Sequence, residues 1–440
     1  MDADLALRLE QYNPWLVEPG VWPGAADRYL PEQVIPRRAG ITLRKNRVSL
    51  VVGPRQAGKS TMIWLGLRGL ERPPLLVNLD DPLLRAMCDS GAGFLSALPA
   101  PQGRFCALFF DEVQRHPEAA LFLKSLADLK PGVPVVATGS SSFHLRAGTR
   151  ESLAGRASRC ILYPLSIAEA EAGLAAVPPH RHTLVMKEWL ERFLVYGGYP
   201  EVWTGPDDRS RQSLLLDLVD TLVLRDASDA YGIRNPTAFR TLLRLAAGQI
   251  GSLLNMSEHA AVAGVSVSTV REYYGILEDS HILKLVRPYR GARRSELISA
   301  PKAFFVDNGL RNVLHGRFEP FEARGDRGPL FENLVFSELI KTLSPGEELH
   351  FWRTQNGAEV DFVASGPQGI LPIEAKSTAM PRPAVTRSLR SFIDAYRPPC
   401  ALVVNLTLDA NLDLGGTEVR FRPISRLSAE LSAAGFGAAS

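Results

Sequence analysis

Val48-Ser49-Leu50-Val51-Val52-Gly53-Pro54-Arg55-Gln56-Ala57-Gly58-Lys59-Ser60-Thr61 runs from an aliphatic strand-like segment into a glycine-bracketed turn with the spacing G-x-x-x-x-G-K-[ST]. A strand ending in such a turn points its backbone N–H groups inward. The helix expected from Lys59 to about Leu70 then adds the positive end of its dipole. Backbone donors, a helix N-terminus, a lysine and a hydroxyl in this order suit the phosphates of a nucleoside triphosphate. Gly53, Pro54, Arg55, Gln56, Ala57, Gly58, Lys59, Ser60 and Thr61 are therefore the candidate ATP-binding residues. Lys59 is expected to reach the β- and γ-phosphates, and the Ser60 hydroxyl to ligate Mg²⁺.

Such a loop calls for an acidic pair on another strand of the same sheet. Phe105-Cys106-Ala107-Leu108-Phe109-Phe110-Asp111-Glu112 supplies it, with Asp111 as a Mg²⁺-shell residue and Glu112 as the base that polarises the attacking water. Further strands are expected at Leu75 to Asn78, Val133 to Thr138 and Arg159 to Tyr163, alternating with helical stretches. That alternation implies a doubly wound parallel sheet of the α/β class. The fourth strand ends in Thr138-Gly139-Ser140-Ser141, where Ser140 is placed to sense the γ-phosphate. Arg156, in Leu153-Ala154-Gly155-Arg156, has two readings: a cap on its own helix, or an arginine finger reaching the nucleotide of a neighbouring copy.

Composition narrows the class. Over 440 residues, 45% are hydrophobic and 22% charged, a globular balance with no apolar run long enough for a membrane span. Met1-Asp2-Ala3-Asp4 has no signal-peptide character, so a cytoplasmic location without membrane attachment is expected. Cys88, Cys106, Cys160 and Cys400 are scattered and read as buried reduced thiols. The net charge of +3 decides nothing about nucleic acid, which leaves local arginine density to carry that argument.

Ser257 to Arg271 has helix-turn-helix spacing: small Ala261 where helices meet, Gly264 in the turn, and Ser266 capping a second helix that runs to about Glu278. Ser268, Thr269 and Arg271 then face outward near the start of that helix. Two strand-like runs follow, His281 to Val286 and Ala303 to Val306, joined by a loop holding Arg290, Arg293 and Arg294. The pattern is that of a winged helix with a basic wing, either touching DNA phosphates or serving as an internal joint with a solvated wing.

Near the C-terminus, Glu359-Val360-Asp361-Phe362-Val363 is followed by Leu371-Pro372-Ile373-Glu374-Ala375-Lys376. Glu374 and Lys376 alternate on one strand face, Asp361 lies on the neighbouring strand, and Glu332 comes from a helix expected from Leu330 to Lys341. Glu332, Asp361 and Glu374 are expected to form an oxygen-rich Mg²⁺ site, with Lys376 orienting water or stabilising charge. This pattern is similar to the PD-(D/E)XK nuclease superfamily, although the proline that often precedes the aspartate is absent.

The chain as a whole resembles the prokaryotic family in which an AAA+-type ATPase module carries a C-terminal domain of unknown function, DUF4143. The resemblance rests on residues 53–60, Phe110-Asp111-Glu112, Thr138-Gly139-Ser140-Ser141, Gly155-Arg156, Pro164-Leu165-Ser166, Gly197-Gly198-Tyr199-Pro200 and the C-terminal motif. It implies ATP and Mg²⁺ as ligands and a tendency to form homo-oligomers. The expected layout is an N-terminal helix and approach segment at 1–40 and an AAA+-like P-loop domain at 41–175. A helical lid at 176–237, a winged helix-turn-helix at 238–310 and a restriction-endonuclease-like α/β domain at 311–440 follow. The expected activity is ATP hydrolysis controlling engagement with DNA, with metal-dependent cleavage by the last domain. Two other classes stay open: a switch that binds ATP and a protein partner with an inactive nuclease fold, and a DNA-binding protein whose nucleotide is structural.

Overall fold

Runs of Val, Leu and Phe with no polar alternation cannot leave either side in water, and in the N-terminal part of the chain they build a sheet covered on both faces. The computed structural model describes residues 3–139, 153–172, 177–221, 232–290 and 299–437. Ser140, Arg293 and Arg294 lie outside the described residues. The chain divides into two units, Met1–Pro164 with Asp279–His281, and Leu165–Glu278 with Ile282–Ser440.

In the first unit, β1 (Val48–Val52), β2 (Leu75–Asn78), β3 (Leu108–Asp111), β4 (Val135–Gly139) and β5 (Ala157–Ile161) pair in parallel in the order β2-β3-β4-β1-β5. Successive β1 side chains go to opposite cores. Val48, Leu50 and Val52 pack with Phe110, Leu123 and Leu126, while Val51 packs with Trp64, Phe109 and Val136. Strand β3 starts at Leu108 rather than Phe105, after a 3-10 turn at Gln102–Arg104.

The first forty residues are part of this unit. Asn13 is fully buried and completes the outer edge of β2: its Nδ2 donates to Leu76 O at 2.9 Å, and its Oδ1 accepts from Leu76 N at 2.7 Å. The Trp15 indole donates to Pro74 O at 2.8 Å, and the Tyr29 ring stacks on Trp64 of the helix Lys59–Arg68 at 4.4 Å.

In the second unit, the helices His182–Tyr196, Asp208–Val219, Pro236–Gly248, Val267–Asp279 and Asn308–His315 share one core through Val195, Leu215, Phe239, Leu242, Tyr274 and Leu310. The glycines after Tyr196 serve this packing. Gly197 has φ +74°, and a Cβ there would stand 2.0 Å from Asp307 Oδ1; the neighbouring Gly198 N–H donates to Asp307 Oδ2 at 2.7 Å.

An eight-stranded mixed sheet completes the unit in the order β12-β13-β11-β10-β9-β8-β6-β7. Its strands are β6 (Leu283–Pro288), β7 (Lys302–Phe305), β8 (Glu348–Arg353), β9 (Glu359–Gly366), β10 (Gly369–Ala375), β11 (Cys400–Asn405), β12 (Ala410–Leu414) and β13 (Thr417–Pro423). The β6–β7 pair is antiparallel as a hairpin requires, yet β6 also pairs in parallel with β8 through Arg287↔His350 and Pro288↔Phe351. It is therefore no free-standing wing, and one sheet runs across residue 310. The helix Arg327–Thr342, the antiparallel β8, β9 and β10, the helix Arg387–Tyr396 and then β11 follow in order, with β11 parallel to β10.

Candidate functional site

The phosphate loop owes its shape to two glycines. A Cβ on Gly53 would lie 2.1 Å from Leu162 O, so only glycine lets the loop pass β5, and Gly58 opens the helix Lys59–Arg68 from a left-handed conformation at φ +90°. Lys59 is buried, and its Nζ donates to Gly53 O at 3.2 Å and Pro54 O at 2.9 Å. Arg37, which sequence reading left unassigned within the approach segment, clamps the loop from outside. Its guanidinium donates to Ala57 O at 2.6 Å and to Tyr163 O at 2.6 Å.

Opposite the loop, the Ser60 hydroxyl donates to Asp111 at 3.1 and 3.2 Å. This is possible because β4 alone separates β1 from β3, so both strand ends open on one edge. The Thr138 hydroxyl, at the end of β4, donates to Asp111 Oδ1 and accepts from Glu112 N–H at 3.0 Å. Thr138 belongs to the Thr-Gly-Ser-Ser run in which Ser140 is the expected candidate; the signal for Thr138 is a hydroxyl just before the glycine that ends the strand. Glu112 sits at φ +58°, a left-handed conformation uncommon outside glycine, and Gln114 Nε2 donates to its Oε2.

Burial raises the Asp111 pKa, with Glu112 adding to that effect and the bonds from Thr138 and Ser60 and the charge of Lys59 opposing it. The loop cradle and the hydroxyl–carboxylate pair fit a Mg²⁺-nucleotide: oxygen donors come from two elements, and phosphate oxygens and water would complete the shell. Arg156 is not part of this cluster. It precedes Ala157, which pairs with Val48 at the other end of β1, on the order of 15 Å from the loop at strand rise. There its Nε meets Asp128 Oδ1 at 2.5 Å, at the end of the helix Ala119–Asp128.

The C-terminal candidates fall into two ion-paired groups with Asp361 between them. Glu374 accepts from Lys376 at 2.5 Å and from the Thr386 hydroxyl at 2.9 Å. Glu332 instead faces Lys302 Nζ at 3.5 Å, and the same ammonium is bonded to Glu359. Asp361 accepts from Ala375 N–H at 2.8 Å where β9 and β10 part. A bulge in β9 assists: His350 pairs with Val363 and Trp352 with Val360, so Asp361 and Phe362 together oppose Phe351. Among the described residues, no three His, Cys, Asp or Glu side chains are grouped as a metal centre requires. Two carboxylates of the expected joint site of Glu332, Asp361 and Glu374 are engaged by lysines, Glu332 by Lys302 and Glu374 by Lys376.

Burial raises the pKa of Glu332, helped by Asp361 and Glu359 and opposed by Lys302, and burial likewise raises that of Asp361. Burial disfavours the charge of Lys302, but Glu332, Glu359 and Asp361 outweigh it and its pKa is raised.

In the middle region, Gly264 closes the helix Met256–Ala263 at φ +66°, and Ser266 Oγ accepts from Thr269 N–H at 3.1 Å to open the helix Val267–Asp279. The Ser268 and Thr269 hydroxyls bond to Ser266 Oγ at 2.7 and 2.9 Å. Ser268 and Arg271 are exposed while Val270, Tyr273, Tyr274 and Leu277 are buried. Arg290 is exposed at the end of β6 and, with Arg287, Tyr289, Glu348 and His350, lines a cavity of about 530 Å³.

Residues 45–171 match the family described as AAA domain, residues 187–320 match a domain of unknown function designated DUF8612, and residues 327–425 match the domain of unknown function DUF4143. The first unit thus has the parallel α/β sheet and phosphate loop of an AAA domain. The DUF8612 match spans much of the stretch read from sequence as lid and winged helix. An uncharacterized protein of Mycobacterium tuberculosis is 27% identical over 359 residues, covering 80% of this chain and 74% of that one. An uncharacterized protein of Methanocaldococcus jannaschii is 23% identical over 344 residues, covering 76% of each. Among solved structures, replication initiator DnaA bound to AMPPCP and single-stranded DNA aligns at 11% identity over 57% of this chain and 92% of that one, with a TM-score of 0.25. An overlap that loose carries no weight for fold or function. Among the described residues, no helix is long and apolar enough to cross a membrane.

Proposed function

We propose that the chain is an AAA+-type ATPase that couples ATP hydrolysis to engagement of DNA. The observation that carries this reading is the contact of Ser60 with Asp111, tied through the Thr138 hydroxyl to the backbone of Glu112. In this reading the amides of 53–60 and Lys59 hold the phosphates, and Ser60 and Asp111 hold Mg²⁺. A Mg²⁺ held there would supply positive charge to the phosphate oxygens. Thr138 orients both acidic residues at once. Glu112, turned by its left-handed backbone and held by Gln114, accepts a proton from the attacking water.

DNA engagement is assigned to the second unit. The exposed Ser268 and Arg271 support it, as do Arg287 and Arg290, whose guanidinium groups suit backbone phosphates. The helix-turn-helix, its two antiparallel strands and the DUF4143 region are read here as a winged helix joined to a nuclease-like fold, the latter supported by the helix, three-strand, helix, strand order. Turnover measured with and without duplex DNA tests the coupling. Stimulation by DNA that weakens in Arg271→Ala/Arg290→Ala, with a salt dependence flattened by about one unit per lost phosphate contact, is the expected result. A parent protein indifferent to DNA at low salt would overturn it.

Self-association is proposed on Arg156, which stands too far from its own loop to act there and is half exposed. Mixing Arg156→Ala with Lys59→Ala protein should recover part of the activity that neither has alone. A fully active Arg156→Ala protein would leave Arg156 as a structural partner of Asp128 only.

A further inference from the structure

The PD-(D/E)XK resemblance implies a divalent cation among Glu332, Asp361 and Glu374, and the residues present do not fit one. We infer that the Lys302 ammonium is the resident cation of this acidic pocket, and that the C-terminal domain binds its target without metal-dependent cleavage.

Four observations place the lysine. Lys302 is 1% exposed, far below the usual exposure of lysine, and it opens β7, whose neighbours Ala303, Phe304 and Phe305 are fully buried. Its backbone is fixed on both sides of the pocket: it pairs with Val286 of β6 and bridges to Leu253. Its Nζ lies 3.5 Å from Glu332, is bonded to Glu359, and stands 5.2 Å from the Phe351 ring centroid, so carboxylates and an aromatic face surround one positive charge. Gly251, at φ +71°, closes the other side of Glu332, and a Cβ there would lie 3.1 Å from its Oε2.

A buried ammonium inside a carboxylate group does electrostatically what a metal would do, but it donates three hydrogen bonds and accepts no water. It offers no coordination position to a water, so it cannot supply the metal-bound hydroxide that a catalytic divalent ion provides in hydrolysis. A second cation placed among Glu332, Glu359 and Asp361 would meet Lys302 as a like charge. Arg353 already takes the remaining Glu359 oxygen at 2.9 Å, and Lys376 and Thr386 engage Glu374, so few free lone pairs stay available for the near-octahedral shell Mg²⁺ demands. The domain keeps a nuclease-like acidic pocket and replaces its metal with a side chain.

Mn²⁺ binding to the full chain, read by electron paramagnetic resonance, tests this. All proteins carry Asp111→Asn, which removes the carboxylate proposed to hold Mg²⁺ in the first unit. With Lys302 present, no stoichiometric Mn²⁺ should bind at millimolar concentration. Adding Lys302→Gln should create about one bound Mn²⁺ per chain, lost again on Asp361→Asn. Mn²⁺ held by the Lys302-bearing chain and released by Asp361→Asn would overturn the inference. So would a Lys302→Gln chain with native circular dichroism that gains no Mn²⁺. Should Lys302→Gln fail to fold, the Lys302-bearing arm decides alone. Because Asp111→Asn is common to every arm, failure here leaves the ATPase reading untouched.

Discussion

Each candidate site is built around a half-buried aspartate, and the partners of the two differ in kind. Asp111 in the first unit accepts from the Ser60 and Thr138 hydroxyls, while Asp361 in the second lies between groups built on Lys302 and Lys376. Hydroxyl donors satisfy lone pairs without neutralising charge, so a carboxylate held by them retains its attraction for a cation. Carboxylates around an ammonium are already compensated. Geometry that looks alike in a sequence motif therefore carries opposite chemistry: the first cluster fits the Mg²⁺ we propose for it, and the second, as we infer, has its cation covalently built in.

The comparison is broken most forcefully at the phosphate loop. Lys59→Ala should lose nucleotide binding, as measured with a fluorescent ATP analogue, because the buried ammonium proposed to hold the phosphates disappears. Glu112→Gln should retain binding and slow ATP turnover by roughly ten- to a thousandfold, the range for removing a positioned base. Parental turnover in Glu112→Gln would show that another group handles the proton.

A smaller effect is expected from Thr138→Val, which keeps the shape of the side chain and removes its hydroxyl. Asp111 loses a charge-assisted bond and the Glu112 amide loses its acceptor, while the surrounding apolar packing of β4 is retained. Since a hydrogen bond to a charged group is worth about 1.5–3 kcal/mol, turnover should fall by roughly ten- to a hundredfold with little change in nucleotide affinity. Unchanged turnover would mean that Asp111 and Glu112 are oriented by Ser60 and Gln114 alone.

The first cluster is largely legible in the sequence, because the phosphate loop is one continuous stretch and the acidic pair ends an unmistakably buried strand. Spacing alone located Ser60 and Asp111. It could not show that Thr138 bonds both Asp111 and the Glu112 amide, since a hydroxyl beside a glycine at a strand end is common punctuation and only strand register aims it. The second cluster was half legible. Asp361, Glu374 and Lys376 stand in a recognisable order, and Glu332 falls on its helix, but Lys302 lies on a strand thirty residues before Glu332 and looks like an ordinary strand-end charge. Its burial is a tertiary fact, set by β7 joining β6 and by Gly251 closing over the pocket. The bulge that turns Asp361 was equally hidden, because it arises from a mismatch of register between β8 and β9 and not from a glycine in either. Arg37 escaped for a similar reason: its partners are backbone carbonyls, which no motif records.

The gentlest test concerns proton balance in the second cluster. Glu332 and Asp361 both hold their protons to higher pH in the folded chain than in the unfolded one, burial being the first cause in each. The folded state therefore binds more protons over the interval above the ordinary carboxylate range, and the stability from this source is complete below about pH 4 and is lost as pH rises through the raised values. Glu332→Gln keeps the shape and the acceptor oxygen facing Lys302 but cannot titrate. Its unfolding free energy in urea should vary less steeply than the parent's between about pH 5 and pH 8, by on the order of 1 kcal/mol across the interval. A parallel change in parent and variant would place the proton uptake elsewhere. A steeper loss in the variant would mean that the attraction of Lys302 outweighs burial and holds the Glu332 pKa below its unfolded value.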